Sequence, residues 1–312
     1  LNNGVSKEFV YYFTKSNSFI EQTGINTRVA AQPKLALNRL KTISIPFPSL
    51  PEQKRIVAIL DETFAGISLA VANAEKNLAN ARELFESYLN NVFTQNTESW
   101  AQTTLGNQHF LKIIDGDRGK NYPKKSDFLD NGYCLFLNTK NVRPNGFKFD
   151  SLMFITEDKD NALRKGKLQR RDVLLTTRGT IGNIALYDDS VKYENIRINS
   201  GMLIFRPNED VITSEYLFEM MRSSIIKEQI KKHTSGAAQP QLPINTLVNF
   251  VLPVPKSIRE QEKIVSDLNT LSKKTQQLET IYQQKLTALN ELKQSILQKA
   301  FSGQLTKDYD NG

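Results

Sequence analysis

Apolar and small residues recur through residues 52–93 at steps that alternate four and three: Leu60, Phe64, Ile67, Val71, Ala74, Leu78, Ala81, Phe85, Tyr88 and Val92. This spacing holds one seam on one side of a helix, the heptad pattern of a helix paired along its length. The run has no proline after Pro51 and a single glycine, Gly66. Pro51 itself suits a first helical turn, where its missing N–H costs nothing. At ~1.5 Å per residue the predicted helix spans roughly 60 Å. Such a helix buries its seam only against a partner of similar length. Residues 260–301 supply one, with Leu268, Leu271, Leu278, Tyr282, Leu289, Leu292 and Ile296 on the seam and no Gly or Pro between Ser257 and Gly303. The two helices are expected to pair antiparallel within one chain. Leu60, Ile67, Val71, Leu78 and Phe85 would then face Leu268, Leu271, Leu278, Tyr282, Leu289 and Ile296. Leu278→Asp is expected to cost several kcal/mol by burying an unpaired charge.

The two runs are copies. Glu52 matches Glu260, Leu60 matches Leu268, Leu84 matches Leu292, Leu89 matches Leu297 and Phe93 matches Phe301, each pair 208 apart. Upstream the offset is 207. Ala30-Ala31-Gln32-Pro33-Lys34-Leu35 matches Ala237-Ala238-Gln239-Pro240-Gln241-Leu242, Pro46 and Pro48 match Pro253 and Pro255, and residues 6–10 match 213–217. So long a period is no solenoid repeat; it marks a duplicated module of domain plus long helix. The chain holds one full module, residues 96–301, preceded by the tail of another. It opens on Leu1 part-way through that module, as expected of a processed product, a truncated gene or a cloned fragment.

Residues 1–50 read as the remnant of a first domain, with a short helix at 8–20, a helical turn at 34–40 and a strand at 43–47. Unless something covers it, the remnant should expose apolar surface. Residues 51–95 form the first long helix, 96–255 the globular domain, 256–303 the second long helix and 304–312 a tail. Trp100 should pack where the domain begins. Within the domain, short strands alternate with glycine turns, and residues 214–232 read as an amphipathic helix. No apolar run approaches the ~18–20 residues of a membrane span. The single cysteine, Cys134, rules out an internal disulfide and sits in the buried-strand pattern of residues 133–137, so it reads as core in a reducing cytoplasm. His109 and His233, far apart and with one Cys, make a zinc site improbable.

A domain ending in an Ala-Gln-Pro-x-Leu-like loop and a Pro-x-Pro strand, followed by a Glu-Gln-x-x-Ile-Val long helix, all duplicated, resembles the specificity subunit of type I restriction-modification enzymes. The resemblance covers essentially the whole chain and departs in one respect, since most of the first recognition domain is missing. It implies an α/β target-recognition domain mounted on an antiparallel coiled coil of two long helices. It further implies a non-catalytic bacterial or archaeal cytoplasmic protein that reads one half of a bipartite double-stranded DNA target. The helices would act as a spacer and carry the methyltransferase subunits, and through them, indirectly, the restriction subunit. S-adenosylmethionine would belong to the methyltransferase partner; no cofactor or metal is expected in this chain, and no membrane. The alternatives are a half-sized specificity protein that homodimerises on a symmetric target, a coiled-coil scaffold whose globular domain binds protein, and a fragment of a single-chain methyltransferase-nuclease.

Charge points the same way. The chain carries a net charge of +8, and residues 112–178 hold 15 Lys and Arg against 9 Asp and Glu, so most of the excess lies there. The polar loop after Ile114 takes the place of the family's variable reading loop. In it Asp117, Arg118, Lys120, Asn121, Tyr122, Lys124 and Lys125 combine cations for phosphates with groups able to read base edges. Lys140, Asn141 and Arg143 follow a strand and are the next candidates. Arg164 and Lys165 open a stretch to Arg171 with five basic residues and no acid; Arg170 and Arg171 suit a solvated turn equally well. Arg178 and Thr180 lie in Arg178-Gly179-Thr180-Ile181-Gly182, which resembles the family's Gly-x-x-Gly turn. Arg178 suits an ion pair as well as a DNA contact, and the glycines suit a tight turn better than a phosphate cradle, because no Lys-Ser/Thr follows. Ser235, Gln239 and Gln241 lie in the duplicated loop, where a structural role shared by both modules is the more natural reading. No glycine-rich cofactor loop, no Asn/Asp-Pro-Pro-Tyr/Phe motif, no Walker lysine and no nuclease carboxylate cluster is present, so the chemistry is expected from a partner.

Overall fold

A computed structural model of the chain describes residues 4–26, 35, 37–95, 99–144, 146–234 and 241–310. The duplicated Ala-Gln-Pro segments, with Ser235 and Gln239, lie outside these residues. In chain order the elements are α1 (Lys7–Phe13), α2 (Asn17–Asn26), α3 (Leu37–Leu40), α4 (Leu50–Gln95), β1 (Ala101–Thr104), β2 (Leu111–Asp115), β3 (Cys134–Leu137), β4 (Val142–Arg143), β5 (Gly146–Phe147) and β6 (Phe154–Ile155). They continue with α5 (Glu157–Ala162), β7 (Val173–Thr176), β8 (Ile184–Leu186), β9 (Ile196–Ile198), β10 (Met202–Pro207), α6 (Ser214–Arg222), α7 (Ser224–Thr234), α8 (Ile244–Leu247), β11 (Val251–Val254), α9 (Ile258–Phe301) and α10 (Leu305–Asp310). The expected helix at 214–232 is therefore two, parted at Ser223, whose hydroxyl and N–H both return to the carbonyl of Met220. The chain divides into two compact units, Leu1–Glu83 with Lys274–Gly312, and Leu84–Lys273.

In the first unit the start of α4 runs antiparallel to the end of α9. Ile56, Ile59, Leu60, Phe64 and Ile67 bury against Leu297, Ala300, Phe301 and Leu305, with Val71, Leu289 and Ile296 at the margin. Lys293 places its ammonium over the Phe64 ring, and Arg82 pairs with Glu279 at 3.1 Å. Further along, the buried positions are small: Ala74, Ala81 and Thr275. Leu278, expected on the seam, is instead 38% exposed, and Leu78 and Tyr282 are only half-buried. A heptad pattern marks which side of a helix is apolar, but the contact distance depends on the smallest residues present, and here these leave the larger side chains at the rim.

Phe9 and Phe13 of α1 cap this core edge-on to Phe301. Residues 43–47, expected as a strand, join no sheet among the described residues, and Ile45 and Phe47 are exposed. A strand needs a neighbour for its N–H and C=O groups; the matching segment of the second unit, β11, has one in β1. Helix α4 also contains a stretch apolar enough by composition to cross a membrane. Counting uninterrupted apolar residues misses it, because Asp61 and Glu62 break the run. Of its apolar positions Ile56, Ile59, Leu60, Phe64 and Ile67 belong to the core just described, while Leu69 is exposed.

The second unit holds the α/β domain. Its main sheet has the order β2-β10-β7-β8, all antiparallel. A second sheet, β6-β3-β9, joins β3 to β9 in parallel, and β1 with β11 and β4 with β5 make two ribbons. Leu89 and Phe93 of α4 and Val265 and Leu268 of α9 share one core with Leu111, Phe205, Tyr216, Leu217 and Leu252. Of the seam residues assigned here, Leu268 is fully buried, Phe85 packs against this core and Leu271 is half-buried. Trp100 is buried where the domain begins, donating to Glu260 at 2.9 Å. Cys134 is fully buried, and burial, with Asp160 beside it, pushes its thiol up to about 12.

Candidate nucleic-acid interface

Strand register brings three loops to one end of the main sheet. Asp115 pairs with Leu203, Met202 with Thr176, and Leu175 with Ile184. The loop after β2, the turn into β10 and the β7–β8 hairpin therefore leave the sheet together. Arg118 hangs from the first of these; its Nη2 lies 3.3 Å from Asp115 Oδ1 and 3.4 Å from the carbonyl of Ser200. Arg178 begins the hairpin, which Gly179 and Gly182 turn with φ of 70° and 91°, angles that side chains rarely adopt. Thr176 locks the hairpin through its hydroxyl, which donates to the carbonyl of Thr180 and accepts the N–H of Asn183.

Two further segments frame the same end. The turn at residues 139–141 comes close, since a Cβ at Gly201 would meet Thr139 at 3.1 Å and Arg178 at 3.6 Å. Asn183 donates to the carbonyl of Val142 at 2.9 Å. On the other side Arg178 bridges Gln241, and the N–H of Leu242 donates to Thr177 at 3.0 Å. A cleft lined by Asp115, Arg118, Arg178, Gln241 and Asn245 opens between these loops. Arg118, Lys140, Arg178 and Thr180 are exposed around it, and Arg143 is half-buried beside the turn.

A second group sits where the loop after β2 folds over residues 162–166. Asp117, 4% exposed, accepts the N–H groups of Gly119 at 2.6 Å and Arg164 at 2.7 Å. Burial raises its carboxyl, but these N–H bonds outweigh burial and hold it below the usual carboxylate range. Asn121 donates to the carbonyl of Ala162 at 3.0 Å. Lys120, Arg164 and Lys165 stand exposed on this fold. Lys124 and Lys125 lie further on, at an exposed helical turn stapled by Asp127, which accepts the N–H of Lys124 at 2.7 Å.

Several candidates are thereby corrected. Asp117 is a buried staple of its loop, not a base reader. Asn141 is 2% exposed and spends its side chain on the N–H of Asn138 and the carbonyls of Lys148 and Ser151. Tyr122 sets its ring edge-on to Phe136 at 5.8 Å and belongs to the small core around Cys134. Arg170 and Arg171, left open between solvated turn and DNA contact, are structural. Arg170 stacks on Tyr187 and pairs with Glu194, and Arg171 pairs with Glu209 and Glu215. Asp115 and Asn245 escaped the sequence reading because only strand register brings them to the cleft. Gln241 carried a repeat signal that pointed to structure rather than to a site.

The second unit thus gathers cations and amides at one end of its main sheet. The chain belongs to the type I restriction modification DNA specificity domain family, whose model matches residues 1–77 and 99–288. It is 24% identical over 328 residues to the type I restriction enzyme EcoBI specificity subunit of Escherichia coli, covering 97% of this chain and 67% of that protein. It is also 24% identical over 291 residues to the MjaVIII specificity subunit of Methanocaldococcus jannaschii, covering 85% and 65%. The chain thus spans about two thirds of the length of these relatives. Among solved structures, the HsdS subunit from Thermoanaerobacter tengcongensis matches with a TM-score of 0.61 at 22% identity, covering 97% of this chain and 71% of that one. A chain of a type I R-M system, solved for its complex assembly and conformational transition, matches with a TM-score of 0.79 at 21% identity, covering 97% and 72%. These two likenesses concern the fold.

Proposed function

We propose that the chain is the targeting, non-catalytic part of a type I restriction-modification enzyme, and that its α/β domain reads one half of a bipartite double-stranded DNA target. The observation that carries this reading is the convergence of Arg118, Lys140, Arg178, Thr180, Gln241 and Asn245 at one end of the main sheet. Exposed cations bind phosphates, and Arg, Asn and Gln are the side chains that match guanine and adenine edges. Methyltransferase subunits, which would bring S-adenosylmethionine, dock on the long helices, and the restriction subunit joins through them in the cytoplasm. Fluorescence anisotropy of a labelled mixed-sequence duplex across a salt series tests the reading. Affinity should fall linearly on a log–log plot; salt-independent binding, or none, overturns it.

Homodimerisation on a symmetric target is the second reading, favoured by the exposed Leu37, Leu40, Ile45 and Phe47 of the first unit. A solution mass of one chain at micromolar concentration would set it aside.

A further inference from the structure

We infer that Asp115 is a specificity-determining residue: its carboxylate keeps Arg118 for a guanine edge and away from phosphates. The inference rests on the DNA-targeting reading. Asp115 ends β2 in register with Leu203, so its backbone is fixed by the sheet rather than by the loop. Its side chain is 21% exposed and faces a cleft whose other polar residues include Arg178, Gln241 and Asn245. A carboxylate in such a place repels a phosphate backbone, so it works against raw affinity. A guanine edge is different, because it offers two acceptors, O6 and N7, and no net charge. An arginine that shares one nitrogen with a carboxylate loses part of its pull on phosphates and keeps the donors of its other two nitrogens.

The contacts fit this division. Asp115 and the Ser200 carbonyl both engage Nη2 of Arg118, at 3.3 and 3.4 Å, and the side chain remains 53% exposed. A guanidinium has five N–H donors in a planar fork, so donors remain for a base edge. Arg178, across the cleft, is exposed and makes no ion pair among the described residues. The two arginines therefore divide the work, with Arg178 holding backbone and Arg118 reading a base.

The test uses the full chain and a pool of duplexes with a randomised core, selected by binding and sequenced. A fixed mixed-sequence duplex measured by anisotropy gives affinity without specificity. The wild type should enrich a motif containing a guanine. Asp115→Asn, nearly the same shape, should lower discrimination at that position alone by about tenfold and tighten binding to the mixed-sequence duplex by about two- to fivefold. Arg118→Lys keeps the charge but not the fork, so it should lower discrimination at that same position by about tenfold. Arg178→Ala should weaken binding to every duplex alike. A matching thermal midpoint shows that Asp115→Asn is folded. If that folded variant keeps the full motif, or binds the mixed-sequence duplex more weakly, Asp115 is merely structural and the inference falls while the targeting reading stands. If the wild type enriches no motif at all, the targeting reading falls and takes the inference with it.

Discussion

Gln53 and Gln261 make the same three hydrogen bonds in the two units. Gln53 accepts the N–H of Ser6 at 2.9 Å and donates to the carbonyls of Gly4 at 3.1 Å and Pro48 at 2.9 Å. Gln261 accepts the N–H of Thr213 at 2.9 Å and donates to Val211 at 2.9 Å and Pro255 at 3.2 Å. Both are fully buried. Each thus ties the segment just before its long helix, at Pro48 or Pro255, to the backbone that leads into α1 or α6. Gln53→Ala and Gln261→Ala should each cost about 2–3 kcal/mol by leaving buried backbone groups unpaired. Because the residues lie in separate units, the double variant should cost the sum. Urea unfolding of the three variants checks both figures.

The repeat was legible in the sequence because it lies in residue identity, and those matches reappear as contacts. Gln22 with Ser44 and Gln229 with Val251 make the same pair of hydrogen bonds. Phe9 stands edge-on to Phe301 as Tyr216 stands to Phe93. What could not be read were facts of register. Nothing local shows that Asp115, Thr177 and Gly201 share one sheet end, that Asn141 turns inward, or that Ala74 and Ala81 are buried while Leu278 stays 38% exposed. The basic stretch at residues 164–171 was legible as charge, while its ion pairs to Glu194, Glu209 and Glu215 depend on the fold.

Leu60 and Leu278 should respond differently to the same change. Leu60 is fully buried, and Leu60→Asp should cost about 4 kcal/mol or more by burying an unpaired charge. Leu278, 38% exposed, lets the new carboxylate reach water, so Leu278→Asp should cost about 1 kcal/mol. Denaturation midpoints of the two variants decide.

Asp160 should make the second unit acid-sensitive. It is fully buried and accepts hydrogen bonds from Arg197 and from Lys167, the latter at 2.5 Å. Burial raises its carboxyl, but the hydrogen bonds and charges of the two cations outweigh burial and hold it below the usual carboxylate range. A carboxyl lowered on folding contributes stability above its unfolded value, and that contribution disappears as pH falls through the folded one. Stability should therefore drop below about pH 4. Asp160→Asn, which strands the buried Arg197, should cost about 3–5 kcal/mol at neutral pH and flatten this acid limb. Urea titrations from pH 7 down to pH 3 supply the comparison.

Cys134 should report unfolding. Its thiol is enclosed and pushed up to about 12, so little thiolate exists at neutral pH. A disulfide reagent such as dithionitrobenzoate should leave the native chain unmodified and titrate one thiol after denaturation. Rapid reaction of the native protein would contradict the packing around β3.

Lys140 should contribute to affinity without selectivity. It is exposed on the turn that approaches Gly179 and Gly201. Lys140→Ala should weaken binding to all duplexes alike and reduce the salt slope by about 1. Lys124→Ala with Lys125→Ala, further from the cleft along the chain, tests by the same anisotropy series whether the footprint extends beyond the sheet end.

Residues 44–47 carry a consequence for assembly. One edge of this segment is closed: Gln22 occupies the N–H and C=O of Ser44, and Pro46 and Pro48 have no N–H to give on that side. No strand among the described residues pairs with the other edge, the one that β11 uses to bind β1. Fibrous stacking needs a strand that accepts a neighbour on both sides, so that each addition templates the next. A strand open on one side terminates growth after a single addition. A second copy of this segment added there would turn its own closed edge outward, so pairing between copies should stop at two.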